Sequence, residues 1–150
     1  MVIQRIQSVY LLIAVILMAV FAFFPALTFN FGDREFVYGA LEAGRVGFTH
    51  IDPLMLTLTI LIAVFALIDI FLFKNLSRQM TFCFATIIIA LAMIIAIAVV
   101  AFIIQSRVGI NGMMPHWAIV LPVLAIIFLM LAHKSMSRDK RALRDADRLR

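Results

Sequence analysis

Charge is scarce in this chain: Asp, Glu, Lys and Arg make up 14% of its 150 residues, while 65% are hydrophobic. A soluble domain usually carries about 25% charged residues, so water is excluded as its only solvent. Cysteine is scarcer still. Cys83 stands alone, which excludes an intrachain disulfide and any Cys-x-x-Cys redox or zinc motif, and it reads as a small apolar packing residue. Also missing are a Gly-rich phosphate loop, a nucleophile elbow and a His-Glu zinc motif. The expectation is a protein that is not an enzyme and holds no cofactor or metal.

What the chain does have is long apolar runs. A helix needs about 20 apolar residues to cross about 30 Å of hydrocarbon at about 1.5 Å per residue. Four stretches meet that need: 6–27, 54–73, 80–104 and 113–132. The third is the longest and should tilt or project past the headgroups. The first follows Arg5 as a signal peptide would, but it is long, aromatic at its far end and lacks a small-x-small cleavage site, so it reads as an uncleaved span. The predicted fold class is all-α transmembrane, a four-helix membrane bundle over 1–132 with a basic cytoplasmic tail helix over 133–150. The loops 28–53 and 105–112 lie on the opposite side.

Orientation follows from Lys and Arg near the span ends. Arg5, Lys74, Arg78, Lys134, Arg138, Lys140, Arg141, Arg144, Arg148 and Arg150 make ten on one side, and Arg34, Arg45 and Arg107 make three on the other. That bias puts both termini and the middle loop inside. Trp117 and Tyr10 sit near span ends, where amphipathic rings favour the headgroup layer.

Association between spans relies on close approach at small residues. Ala118, Ala125 and Ala132 recur every seven residues, and Ala92 with Ala96 forms a small-xxx-small pair, continued by Ala98 and Ala101. These are the expected contact seams. Pro122 removes a backbone donor within the fourth stretch and predicts a bend there.

The first outer loop predicts a β-hairpin. Residues 27–31 and 34–38 flank Gly32-Asp33, a good two-residue turn. The register pairs Phe29 with Phe36 and Leu27 with Tyr38 on one face, and Asn30 with Glu35 on the other. Alternation at Val46 and Phe48, or at Val108 and Ile110, offers a further strand, since a lone hairpin is marginal in water.

Among chemical candidates, Asp69 is the ionisable residue well inside a span, and such acids are costly. It lies five residues before Lys74, about 7.5 Å along a helix. An intramembrane ion pair with Lys74, Arg78 or Arg5 is the expectation. A proton or cation relay is the alternative, with Thr57, Thr59 and Thr86 as the polar groups at hand. His50, Asp52 and His116 fall near the outer surface without a known ligand spacing, and His133 reads as a simple helix-end residue.

The tail carries seven basic and three acidic residues between Lys134 and Arg150. Arg141 with Asp145, Arg144 with Asp147 and Asp145 with Arg148 stand at helical ion-pair spacing, and Ala142, Leu143, Ala146 and Leu149 form a narrow apolar stripe. Arg138, Arg141, Arg144, Arg148 and Arg150 are the candidate interaction residues. Basic groups just inside a membrane gain about 1 kcal/mol each from anionic lipid, so anionic lipids of the cytoplasmic face are one expected partner. The interspersed Asp139, Asp145 and Asp147 suit a docking helix that meets a specific protein. Nucleic acid is disfavoured by the mixed charge and the lack of aromatics.

Three segments together resemble a catalogued family: Ile3-Gln4-Arg5-Ile6-Gln7 leading into Tyr10-Leu11-Leu12, Lys74-Asn75 with Arg78-Gln79, and the closing Asp147-Arg148-Leu149-Arg150. The chain resembles, over essentially its whole length, domain-of-unknown-function family 4293. The resemblance implies a bacterial four-span inner-membrane protein with no assigned activity, and it transfers no catalytic or ligand residues. Two further functional classes stay open beside an interaction protein: a small oligomeric transporter or channel using Asp69, and a membrane enzyme.

Overall fold

The structure, a computed structural model, describes residues 2–31, 34–41, 52–72, 75–108 and 113–148. Helix α1 spans Val2–Phe23 with neither Gly nor Pro to interrupt it. It ends at Pro25, which lacks an N–H and pushes the preceding Phe24 toward extended backbone. The first apolar run was expected to stay helical to Leu27, but strand β1 already begins at Pro25 and continues to Phe31. Strand β2 covers Arg34–Gly39. Helix α2, Asp52–Phe71, starts on Asp-Pro, a good helix opening because proline at the first helical position loses no hydrogen bond.

Asn75 precedes helix α3, Leu76–Val108, and its carbonyl accepts from the Gln79 amide at 3.0 Å. With 33 residues, α3 is about 50 Å long, more than the roughly 30 Å that a membrane crossing needs, and it is the longest of the four helices, in line with the sequence. Strand β3 is Met113–Pro115, so the fourth apolar run is not helical from Met113 as expected. Pro115 again sets the boundary by forcing Met114 out of helical backbone. A 3-10 turn, Trp117–Ile119, is capped by the His116 side chain, which accepts from the Ala118 amide at 3.3 Å. Helix α4 then runs unbroken over Val120–Arg148. Pro122 falls in its first turn, where amides have no intrahelical partner to lose, so it opens the helix instead of bending its middle.

Most of the buried residues follow one spacing in all four helices, with Ala101 and Ile126 buried beside it. Those that follow it are Gln7, Leu11, Ala14, Met18 and Phe21 in α1, and Met55, Thr59, Ile62, Ala66 and Asp69 in α2. In α3 they are Gln79, Cys83, Thr86, Ala90, Met93, Ile97, Val100 and Ile104. In α4 and the turn before it they are Ala118, Pro122, Ala125, Leu129, Ala132 and Met136. Alternating steps of three and four are the seam of helices packed nearly parallel or antiparallel. Helix α1 packs on α2 and α4, and α3 packs on α2 and α4, which makes a ring in sequence order with antiparallel neighbours. All four helices are long and apolar enough to cross a membrane.

The expected alanine seam in α4 is present, since Ala118, Ala125 and Ala132 are fully buried. The one in α3 is shifted. Ala92 is exposed and Ala96 half-buried. The phase set by Cys83 and Thr86 brings Ala90 onto the seam and turns Ala92 about 200° away from it. Ala101 is buried and Ala98 is exposed.

A three-stranded antiparallel sheet in the order β2-β1-β3 closes one end of the bundle. The predicted register holds: Leu27 pairs with Tyr38, Phe29 with Phe36 and Asn30 with Glu35. Leu27, Phe29 and Tyr38 are buried. The turn residues Gly32 and Asp33 lie outside the described residues, as do Val46, Phe48 and Ile110. Val108 closes α3, so the added strand comes instead from 113–115, pairing Thr28 with Met114. Ala26 forms a bulge between Pro25 and Leu27, and its carbonyl accepts from the His116 amide at 3.1 Å. Opposite the bulge, a Cβ on Gly39 would sit 2.9 Å from the Pro25 Cα, so this close backbone approach requires glycine.

Candidate functional site

Polar groups inside the bundle gather at the end remote from the sheet, here called the tail end. Gln7, Asp69, Gln79 and Thr86 are all buried there, whereas Thr59 lies nearer the middle. Most have settled partners. The Gln79 Nε2 donates to the Asp69 carbonyl at 3.1 Å, and that carbonyl is one of the last four of α2, which no intrahelical amide can reach. Thr86 donates to the Phe82 carbonyl at 2.9 Å and Thr59 to the Met55 carbonyl at 2.8 Å. Hydroxyls committed to their own helix do not line up as a relay.

The side chain of Asp69 is the exception. It is 0% exposed, and among the described residues neither carboxylate oxygen has a hydrogen-bond partner. Arg78 is exposed and does not pair with it. Lys74 lies outside the described residues, and the side chain of Arg5 does too. The geometric reason is azimuth: Asp69 occupies the inward seam of α2, while Arg78 stands on the outer surface of α3. The thiol of Cys83 adjoins the carboxylate but donates to the Leu129 carbonyl at 3.4 Å. An unpaired carboxylate in an apolar interior is among the costliest arrangements in a protein. Asp69 is therefore the chemical anomaly of the bundle.

The tail is anchored before it is free. The Gln7 Nε2 donates to Asp139 Oδ2, and the Lys140 Nζ donates to Ser77 Oγ at 3.2 Å. Met136 is fully buried. Up to Lys140, then, α4 is still part of the bundle, eight residues past the expected span end at 132. Residues 141–146 are exposed on every side. Arg138, Arg141 and Arg144 are exposed on this extension. Arg148 closes α4 without a described side chain, and Arg150 lies outside the described residues. Among the described residues no ion pair joins Arg141 to Asp145. The pairs Arg144 with Asp147 and Asp145 with Arg148 rest on side chains outside the description. Leu143, 62% exposed, presents the apolar stripe to solvent or membrane surface.

The remaining candidates do not converge. His116 serves as a helix cap, His50 lies outside the described residues and Asp52 opens α2. Among the described residues no group of three His, Cys, Asp or Glu side chains is placed to hold a metal. His133 is half-buried with its ring 6.1 Å from that of Phe84.

A family described as Domain of unknown function (DUF4293) matches residues 3–149. The chain belongs to this family. No curated protein and no solved structure matches it. In this DUF4293 chain, sequence reasoning missed the link from Gln7 to Asp139, and it expected a third strand but not at 113–115. A glutamine at a position that seam spacing turns inward is the signal that a polar partner faces it.

Proposed function

We propose that this chain is a multi-pass protein of the bacterial inner membrane, with both termini cytoplasmic, that acts as a non-enzymatic interaction protein. Its working part is the basic extension of α4, held out as a rigid docking helix. One observation carries this reading: α4 continues without a break from the packed core to residue 148, and residues 141–146 are all exposed. An unanchored tail would lose much conformational entropy on binding, whereas a preformed helix loses little. The ten-to-three bias of Lys and Arg supports the cytoplasmic placement of that helix. The four apolar helices support the membrane.

The test is site-specific photocrosslinking in native membranes from position 143, compared with position 106 at the opposite end of α3. A discrete crosslinked species from 143 alone is expected, and it should fade when Arg141 and Arg144 are both replaced by Gln. Identical products from both positions, or none, would remove the reading.

A second reading is favoured by the buried carboxyl of Asp69, which has no hydrogen-bond partner among the described residues. A small transporter or channel would use it as the charged group of a proton or cation path. Proton flux in reconstituted vesicles, with Asp69→Asn as the comparison, decides this: equal flux in both forms, or no flux in either, rejects it.

A further inference from the structure

Outside the core, α3 and α4 leave a furrow of about 640 Å³ along the bundle surface. Its walls are apolar: Phe84, Ile87 and Leu91 from α3 face Ile127, Met130 and Leu131 from α4. At the tail end the furrow meets His133 and Lys134. Those two residues are also the first lining of a second cleft, about 360 Å³, continued by Ser137, Arg138 and Arg141. An apolar trough thus opens directly into a basic cup, and His133 stands at the join with its ring against Phe84.

The cup has three fixed cations and no carboxylate in its lining. Among the described residues none of Lys134, Arg138 and Arg141 is engaged in an ion pair. The neighbouring cleft toward α1 differs, because Asp139 lies in its wall beside Lys134 and Arg138. Of these two clefts, the one on the α3 side thus offers an anion a lining with cations and no carboxylate. Residues 126 to 134 advance about 12 Å along α4, most of the roughly 15 Å that one leaflet of hydrocarbon occupies. The dimensions and the polarity gradient both match a phospholipid, with an acyl chain in the trough and its phosphate in the cup.

We infer that the α3–α4 furrow and the basic cup of His133, Lys134, Ser137, Arg138 and Arg141 form a binding site for one anionic glycerophospholipid. This rests on the membrane placement proposed above, with the tail end at the anionic leaflet. The Arg guanidinium forks hydrogen-bond phosphate oxygens, Ser137 supplies a neutral donor, and Phe84 and Leu91 hold the acyl chain. The site goes beyond general attraction to a charged surface because it needs a shape as well as a charge. Occupied, it would brace α4 where the helix leaves the bundle.

The test uses the full chain in detergent, with native mass spectrometry reading the binding of dioleoyl phosphatidylglycerol and dioleoyl phosphatidylcholine. Wild type should bind the anionic lipid at least tenfold more tightly. The pair R138Q/R141Q should lose about 30-fold of that affinity, about fivefold for each basic group. The pair R5Q/R78Q removes equal charge at the same end of the bundle from α1 and α3, and should leave it unchanged. L91W, which fills the trough, should weaken both lipids while circular dichroism stays native. Equal losses in the two charge pairs would overturn the site, leaving charge alone. So would competition by soluble glycerol 3-phosphate with no effect of L91W, which would assign the cup to a free phosphate ester. An acidic peptide whose binding is lost in R138Q/R141Q, while that pair still binds the anionic lipid as wild type does, would overturn it in favour of a protein ligand. Alkaline carbonate extraction separates the two layers of the argument. Release of the chain from membranes sinks the placement, whereas retention with equal affinity for both lipids sinks the lipid site alone.

Discussion

The Gln7 amide of α1 donates to the carboxylate of Asp139 in α4, joining two positions 132 residues apart at the tail end of the bundle. Gln7 is 1% exposed, so the bond satisfies a group that water cannot reach. Asp139→Ala should cost about 1–3 kcal/mol by leaving that amide unsatisfied. Replacing both residues, Gln7→Leu with Asp139→Ala, should recover part of the loss. Thermal unfolding of the four forms in detergent measures the coupling. Effects that simply add, within about 0.5 kcal/mol, would mean the bond contributes nothing.

Asp69 has the opposite character, a buried charge site without a described partner. Asp69→Asn keeps the shape and removes the charge, and it should raise the unfolding temperature. A loss of more than about 1 kcal/mol would instead reveal a partner, with Lys74 the first candidate to examine by a second substitution.

Gly39→Ala should break the corner where β2 passes Pro25, because the contacting atoms are backbone and cannot swing aside. A cost of about 1–3 kcal/mol is expected from overpacking. Trp117 packs on Phe24, with ring centroids 4.9 Å apart at this same corner. A shifted Trp117 emission is thus the local readout, and unchanged emission and stability would show that the strand relaxes freely.

Cys83 is fully buried and its thiol is engaged with the Leu129 carbonyl. A maleimide should leave the folded protein unlabelled and label it fully after unfolding. Rapid labelling of the native form would place the α3 seam in contact with water.

Two truncations should separate anchor from extension. A chain ending at Lys140 should keep wild-type stability, whereas one ending at His133 loses Met136 and the Asp139 and Lys140 contacts and should lose several kcal/mol. Equal stability of the two would contradict the packing of 134–140 against α1 and α3.

How far the sequence reached depended on which coordinate a pattern encodes. Alternation at Leu27, Phe29, Phe36 and Tyr38 fixes both spacing and face, so the strand register was legible to the residue. Hydropathy located four helices, but prolines at 25 and 115 moved two boundaries, because an apolar run scores alike as helix or as strand. The pair Ala92 and Ala96 encodes a spacing without a phase, and the phase came from Cys83 and Thr86, residues with no obvious seam signature. The five-residue step from Asp69 to Lys74 gave a distance along the helix axis and said nothing of the azimuth that keeps Arg78 away from the seam. Gln7 and Asp139 are distant in sequence, and without the ring order of the helices nothing brings them together.

Because α4 crosses from core to tip as one rigid rod, the bearing of its outer cations is dictated from within. Ala125, Ala132 and Met136 lock the rotation of the rod, and Arg138 and Arg141 inherit their compass heading from that lock. One residue inserted between Ala132 and Lys134 would swing the whole basic face about 100° round the axis. A seven-residue insertion would nearly restore the heading while moving the face about 10 Å farther from the core. Changes of length in this stretch therefore act as changes of aim, even where every charged residue is retained.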